Sequence, residues 1–330
     1  MTPTVAGKHA LITGASSGIN LAFARLLLEK GCSVMIGDLQ LSDEAKGLLG
    51  EYPHPGAQGR PSALFHKVDV ASWPELSALW SASLEAFSKI DIVVPGAGVL
   101  GPPTSNFWEP PVTETNPDSR SRDSADANPG HYAVLDINLT APIRMSQLAI
   151  GYWTQAKRDG CLLYVGSVAG HVSQPIAPLY CASKYGLHGF VRSLRSLRDQ
   201  FGIRVSCVAP CYVQVCSCPH QKTHSLETTR AMQRRLSHRN QTQIWSPGAA
   251  MWNAHLENCV WTPMDEVVEG MLELVVNEQY GDGTILEISK GHRRIVPDVE
   301  PPRVAGPSRS GSSTLIRNLF EGLKNRGLRV

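Results

Sequence analysis

The chain has 330 residues, of which 42% are hydrophobic and 18% charged, and a formal net charge of +2. This is globular composition at a length one large α/β domain absorbs, and so even a charge balance gives no electrostatic case for a nucleic-acid partner. No run of roughly 18 apolar residues occurs, so no membrane span is expected; the strand-like opening leaves no room for a signal peptide, and eight scattered cysteines suit a reducing compartment. The expectation is a soluble, cytoplasmic protein.

Apolar runs alternate with segments of helical period, the pattern of βαβ units around a parallel sheet. "HALIT" (9–13) predicts the first strand and "GINLAFARLLLEK" (18–30) the helix after it. "SVMIGD" (33–38), "ALFHKVDV" (63–70) and "IDIVVPGAG" (90–98) predict strands two to four. Leu135, Leu139, Ile143 and Ile150 recur at helical spacing and predict one long helix over 131–157. "CLLYVGS" (161–167) is the fifth strand, 179–200 a helix, "IRVSCVAP" (203–210) the sixth strand and "TILEIS" (284–289) the last. The fold class is therefore α/β, a Rossmann-type doubly wound parallel sheet of about seven strands with helices on both faces. Residues 1–291 form one domain, interrupted by a Pro-rich surface loop at 101–131 and an irregular stretch rich in Cys, Trp and Arg at 211–262. Residues 292–330 read as a Pro/Ser/Arg-rich tail ending in a short amphipathic helix.

"TGASSGIN" (13–20) lies between a predicted strand and a predicted helix, the context of a phosphate-cradling turn. Gly14 and Gly18 permit the tight turn and close approach of a diphosphate, while Ser16, Ser17 and Ile19 lead into the helix N-terminus. A Gly/Ser-rich connection without a ligand is the plainer reading of these residues alone. Asp38, at the tip of strand two and 20 residues past Gly18, strengthens the binding reading. Its carboxylate suits the two ribose hydroxyls and repels a 2′-phosphate, which favours NAD(H) over NADP(H) without excluding the latter.

Ser167, Tyr180 and Lys184 form the sharpest constellation. Tyr180 and Lys184 lie four apart in "YCASK" and share one helix face. A free phenol titrates near ~10, too high for a base at neutral pH, and a neighbouring ammonium is expected to lower it. Ser167, at the end of strand five, can hold the same substrate oxygen. Tyr-x-x-x-Lys alone is common by chance, but here it follows a glycine turn, an acidic strand tip and a strand-end serine in order. The set suits hydride transfer at a carbinol carbon.

With these motifs the chain resembles the classical short-chain dehydrogenases/reductases from about residue 6 to 290. The resemblance implies a catalytic tetrad of Asn138 (in "LDINLT"), Ser167, Tyr180 and Lys184, with Asn138 holding a water in a proton relay through the lysine. It implies adenine contacts from Asp69 and Val70, further cofactor contacts from Ala97, Gly98, Tyr180, Lys184 and the backbone of Val213, and a homodimer or homotetramer. "GINLAFA" and "VPGAG" also resemble a subgroup of filamentous fungi similar to NAD-dependent hydroxyprostaglandin dehydrogenases, which implies a biosynthetic metabolite such as a polyketide or terpenoid as substrate. Three positions depart from the family pattern. Asn20 replaces the third glycine of T-G-x-x-x-G-x-G, and needs a wider helix–sheet gap or an amide turned toward the diphosphate. "PGAG" (95–98) stands for N-N-A-G, and "PCYVQV" (210–215) puts Cys211 and Val215 where the pattern has glycine and threonine.

Cys211, Cys216, Cys218, His220 and His224 cluster in the stretch that matches the family's substrate lid, but their spacing fits no structural zinc pattern, so no metal is expected. Trp245, Trp252 and Trp261, with Met232 and Met251, suit either packing or a pocket for a bulky apolar or aromatic substrate, which Phe107 and Trp108 could close from the other side. In the tail, Leu315, Ile316, Leu319, Phe320 and Leu323 form a stripe among basic residues. An anionic membrane would suit it, and docking on its own subunit accounts for it more simply. The leading expectation is an NAD(H)-dependent oxidoreductase of secondary alcohols and ketones, tilted toward oxidation by Asp38. The alternatives are a dehydratase or isomerase on the same scaffold and a catalytically silent nucleotide-binding protein.

Overall fold

The structure, a computed structural model, describes residues 4–100, 105, 107–108, 110–127, 130–213, 260–298 and 309–330. Eight strands, β1 (His9–Thr13), β2 (Ser33–Asp38), β3 (Ala63–Lys67), β4 (Ile92–Pro95), β5 (Gly160–Val165), β6 (Ile203–Pro210), β7 (Asp282–Ser289) and β8 (His292–Ile295), form one sheet in the order β3-β2-β1-β4-β5-β6-β7-β8. All neighbours pair parallel except β7 and β8. The helices are α1 (Gly18–Glu29), α2 (Asp43–Glu51), α3 (Trp73–Phe87), α4 (Ala133–Leu135), α5 (Ala141–Ala156), α6 (Pro178–Ser193), α7 (Leu197–Phe201), α8 (Met264–Val276) and α9 (Arg309–Arg326).

The apolar runs are continuous because both faces of the sheet are covered, and successive side chains alternate between them. In β1, Ala10 and Ile12 join the core under α1 and α8, while Leu11 points into the core under α3, α5 and α6. Val34 and Ile36 of β2 go to the first core and Met35 to the second. Strand order reverses between β1 and β4, which opens a crevice at their carboxyl ends where ligands bind in such sheets.

Several boundaries differ from the sequence expectation. The sheet has eight strands rather than about seven, because β8 lies in the stretch read as tail. All four of its residues, "HRRI", are exposed, so it carries no buried periodicity to betray it, and its arginines suit an unpaired sheet edge. The helix expected over 131–157 is broken by a π-turn, Asp136–Thr140, between α4 and α5. The helix expected over 179–200 divides into α6 and α7. Helices α2, α3 and α8 add to those expected. The tail's end docks on α5: Gln155 Nε2 donates to Leu328 O at 2.6 Å, the Leu328 amide donates to Thr154 Oγ1 at 3.0 Å, and Phe320 meets Phe201 of α7 at 6.1 Å. Ile316 and Leu319 of the stripe stay exposed. Among the described residues no helix is long and apolar enough to cross a membrane.

Candidate active site

The glycine turn sits at the strand-order reversal. Gly14 has φ +68°, and a Cβ there would stand 2.6 Å from Ala97 Cα, so a side chain is excluded by both backbone and space. The Ala97 amide donates to Thr13 Oγ1 at 3.3 Å, and Gly14 N donates to Gly37 O at 2.8 Å. Ser17 precedes α1 in extended conformation and its hydroxyl makes no capping bond, so it leaves the first-turn N–H groups free for an anion. Gly18 opens the helix with φ +59° and Ile19 packs against the core. Asp38 accepts from Ser16 N at 2.9 Å through Oδ2 and from Leu39 N at 2.7 Å through Oδ1. Ser16 is fastened in turn to Ser42, the N-cap of α2, by bonds of 2.7 and 2.5 Å. The carboxylate is thus aimed by the turn it serves.

Asn138 lies in the π-turn, a distortion common at functional positions. Its amide bonds the loop after β4 in both directions: Oδ1 accepts from Val99 N and Nδ2 donates to Val99 O, each at 2.8 Å. Nδ2 also donates to Ser183 Oγ at 3.2 Å, and Ser183 Oγ to Tyr180 O at 2.7 Å. Lys184, 5% exposed, donates from Nζ to Val165 O at 2.8 Å and stands 5.5 Å from the Tyr180 ring centroid. A Cβ on Gly98 would lie 3.4 Å from Asn138 Oδ1 and 3.7 Å from Lys184 Nζ, so Gly98, Asn138 and Lys184 meet at the end of β4. Ser167 caps the short turn Val168–Gly170, accepting from Ala169 N at 3.2 Å, and its hydroxyl also interacts with the Tyr180 phenol.

The electrostatics correct one expectation. The Tyr180 phenol is raised, not lowered: burial dominates, and the Ser167 hydroxyl opposes it only in part. The ammonium expected to lower it is itself desolvated, which pushes Lys184 down to about 8. In this state the tyrosine keeps its proton at neutral pH.

The remaining candidates are spread around the same rim. Asp69 accepts from Ala71 N at 2.9 Å just beyond β3. Val70 lines a narrow apolar crevice with Thr13, Pro95, Ala97 and Ile137. Val213 follows β6 and bridges to Thr262. Phe107 and Trp108 pack edge to face at 4.9 Å, and Trp108 Nε1 donates to Pro175 O at 2.9 Å, between Ser167 and Tyr180 in the chain. Trp108 is nonetheless 61% exposed. The loop behind it is anchored where Ser105 Oγ and Asp123 Oδ1 accept from Val134 N and Ala133 N at the start of α4. Val215, Cys216, Cys218, His220, His224, Met232, Trp245, Met251 and Trp252 lie outside the described residues. Among the described residues no three metal-ligating side chains gather.

Sequence reasoning missed the support behind Ser167. His188, 2% exposed, stacks on His171 at 5.6 Å and fills the space left by Gly166 and Gly170, where a Cβ would approach its ring within 2.6 Å and 2.3 Å. His171 Nε2 is 2.7 Å from Glu287 Oε2. His188 recurs four residues after Lys184 and so shares its face, the one signal that could have found it.

A family model described as short chain dehydrogenase matches residues 8–224. Short-chain dehydrogenase/reductase prx4 of Penicillium roqueforti is 31% identical over 208 residues, covering 63% of this chain and 55% of its own. NADP-dependent dehydrogenase clz5 of Cochliobolus lunatus is 33% identical over 226 residues (63% and 72%), and human 15-hydroxyprostaglandin dehydrogenase [NAD(+)] 31% identical over 215 (63% and 69%). The match thus spans little more than half the length of the first of these relatives. The crystal structure of gox2181 shares the fold at TM-score 0.62 and 21% identity, covering 87% of this chain and 96% of that one.

Proposed function

The chain belongs to the short-chain dehydrogenase family, and from that membership we propose that it is a nicotinamide-dependent oxidoreductase interconverting a secondary alcohol and a ketone on a small apolar molecule. The observation that carries the reading is the convergence of Ser167, Tyr180 and Lys184 beside Gly98 and the glycine turn. The residues present fit the nucleotide: a close-approach glycine at 14, an uncapped helix N-terminus behind Ser17, a carboxylate at Asp38, and apolar Val70 and Ala97. When bound, the nicotinamide supplies the hydride donor or acceptor for the carbinol carbon.

Ser167 holds the substrate oxygen by hydrogen bonding. Tyr180 Oη gives that oxygen a proton in reduction and takes one from it in oxidation. Lys184 Nζ, charged below about pH 8, answers the negative charge that develops on the phenol as its proton leaves. Asn138 fixes the loop after β4 through Val99, which sets the distance between Gly98 and the lysine. Phe107, Trp108 and the half-exposed Trp261 favour a bulky apolar or aromatic substrate. A carboxylate at Asp38 favours NAD(H) over NADP(H), since a 2′-phosphate would stand beside a second negative charge.

Fluorescence titration with NADH and NADPH tests this. Tight NADH binding that weakens about tenfold in Asp38→Ala, followed by turnover of alcohols or ketones that is lost in Tyr180→Phe, supports the reading. No saturable binding of either nucleotide sinks it. Turnover of a substrate without added nucleotide would point instead to dehydration or isomerisation on the same scaffold.

A further inference from the structure

Two of the departures from the family pattern touch each other. Asn20, in the first turn of α1, is 7% exposed. Its Nδ2 donates to Gly96 O at 2.8 Å and lies 3.3 Å from Gly14 O and 3.4 Å from Thr13 O. Three carbonyls facing one end of the amide fix that end as the donor. A Cβ built on Gly96 would stand 2.5 Å from Asn20 Oδ1, 2.6 Å from Nδ2 and 2.7 Å from Cγ. Gly96 does not have a positive φ, so it is a glycine for space and not for backbone conformation. The family pattern has glycine at position 20 and asparagine at position 96; here the two residue types have changed places.

We propose that Asn20 and Gly96 are a matched strut and socket that positions the dinucleotide turn. The amide joins the end of β1, the turn at Gly14 and the end of β4 through groups as far as 76 residues apart. It thereby holds the helix N-terminus at the height from which its N–H groups meet a diphosphate. Asn20 Oδ1 is buried without a partner, which leaves one acceptor inside the turn for a donor that arrives with the nucleotide, an ordered water included. Asn20 is accordingly a positioning residue for the cofactor, its amide turned toward Gly96. The positioning claim rests on the nucleotide-binding reading above; the pairing itself does not.

The test is a double-mutant cycle read in two ways, by the thermal midpoint of the nucleotide-free protein and by NADH affinity measured well below every midpoint. Asn20→Gly should weaken NADH binding about fivefold by removing the buried donor. Gly96→Ala should be at least as harmful in the wild type, yet nearly silent in Asn20→Gly, where the amide is gone. The reciprocal exchange Asn20→Gly/Gly96→Asn should recover most of both losses. Additive effects of Asn20→Gly and Gly96→Ala on both readouts overturn the pairing. Coupling in the thermal midpoint alone, with NADH affinity unmoved, overturns positioning and leaves a packing contact. A wild type that binds no nucleotide sinks the functional reading and with it the positioning claim, while the thermal cycle still decides the pairing.

Discussion

At the amino ends of the central strands, Asp91 is ringed by cations and tied into the sheet. His9 N donates to its Oδ2 at 3.0 Å, Lys89 Nζ lies at 3.4 Å and Arg158 Nη2 at 3.8 Å, while its carbonyl accepts from Cys161 N. Burial works to raise this carboxyl, but His9 and Lys89 hold it below the usual range. At the carboxyl ends of the same strands the polar groups are served far less well. Lys184 is buried against a backbone carbonyl and Asn20 Oδ1 has no partner. A buried polar group left unmet opposes folding, so Asn20 Oδ1 and the desolvated Lys184 mark places where stability has yielded to chemistry.

Substitutions at the two ends should therefore move stability and activity in opposite senses. Tyr180→Phe is expected to reduce turnover by roughly 10²–10⁴ with little change in thermal midpoint; retained turnover in steady-state assays would remove the phenol from the mechanism. For alcohol oxidation, turnover should rise with pH up to about 8, because the phenol must lose a proton that burial holds on, and fall above it as Lys184 loses the charge that answers the phenolate. Lys184→Met should abolish turnover but stabilise the protein by about 2 kcal/mol at pH 7, since a depression from 10.5 to about 8 disfavours the charged form by somewhat more, less the lost bond to Val165. The sign follows from the folded value lying below the unfolded one: wild-type stability should climb between about pH 8 and 10.5, and that slope should vanish in Lys184→Met on urea titration.

Asp91→Asn should do the reverse, lowering stability by about 1–2 kcal/mol while leaving turnover in place. Because its folded pKa is lowered, the wild-type advantage is present above the ordinary carboxylate range and disappears as pH falls through the folded value. Equal stability of the two at pH 7 would break the contrast between the ends. The smallest effect is at the rim: Trp108→Ala should raise KM for an aromatic substrate about fivefold, with the midpoint unchanged because the ring is mostly exposed.

Local period and turn chemistry made the alternating elements, the turn at Gly14, the acid at Asp38 and the Ser167, Tyr180, Lys184 order readable in the sequence, since each is encoded by neighbours within a few residues. Strand β8 was not readable because its four residues are exposed and carry no buried face. The π-turn that places Asn138 has no sequence period of its own. The sign of the Tyr180 shift required knowing how deeply the phenol and Lys184 are both desolvated, a sum over many distant atoms. Asn20 was legible as an odd residue in a glycine turn; its use was not. What the sequence by itself determined is the family of folds and the chemistry its residues can offer. Only the tertiary structure decided that the amide of Asn20 closes on Gly96, because that contact joins backbone and side chain across 76 residues and is written in neither segment alone.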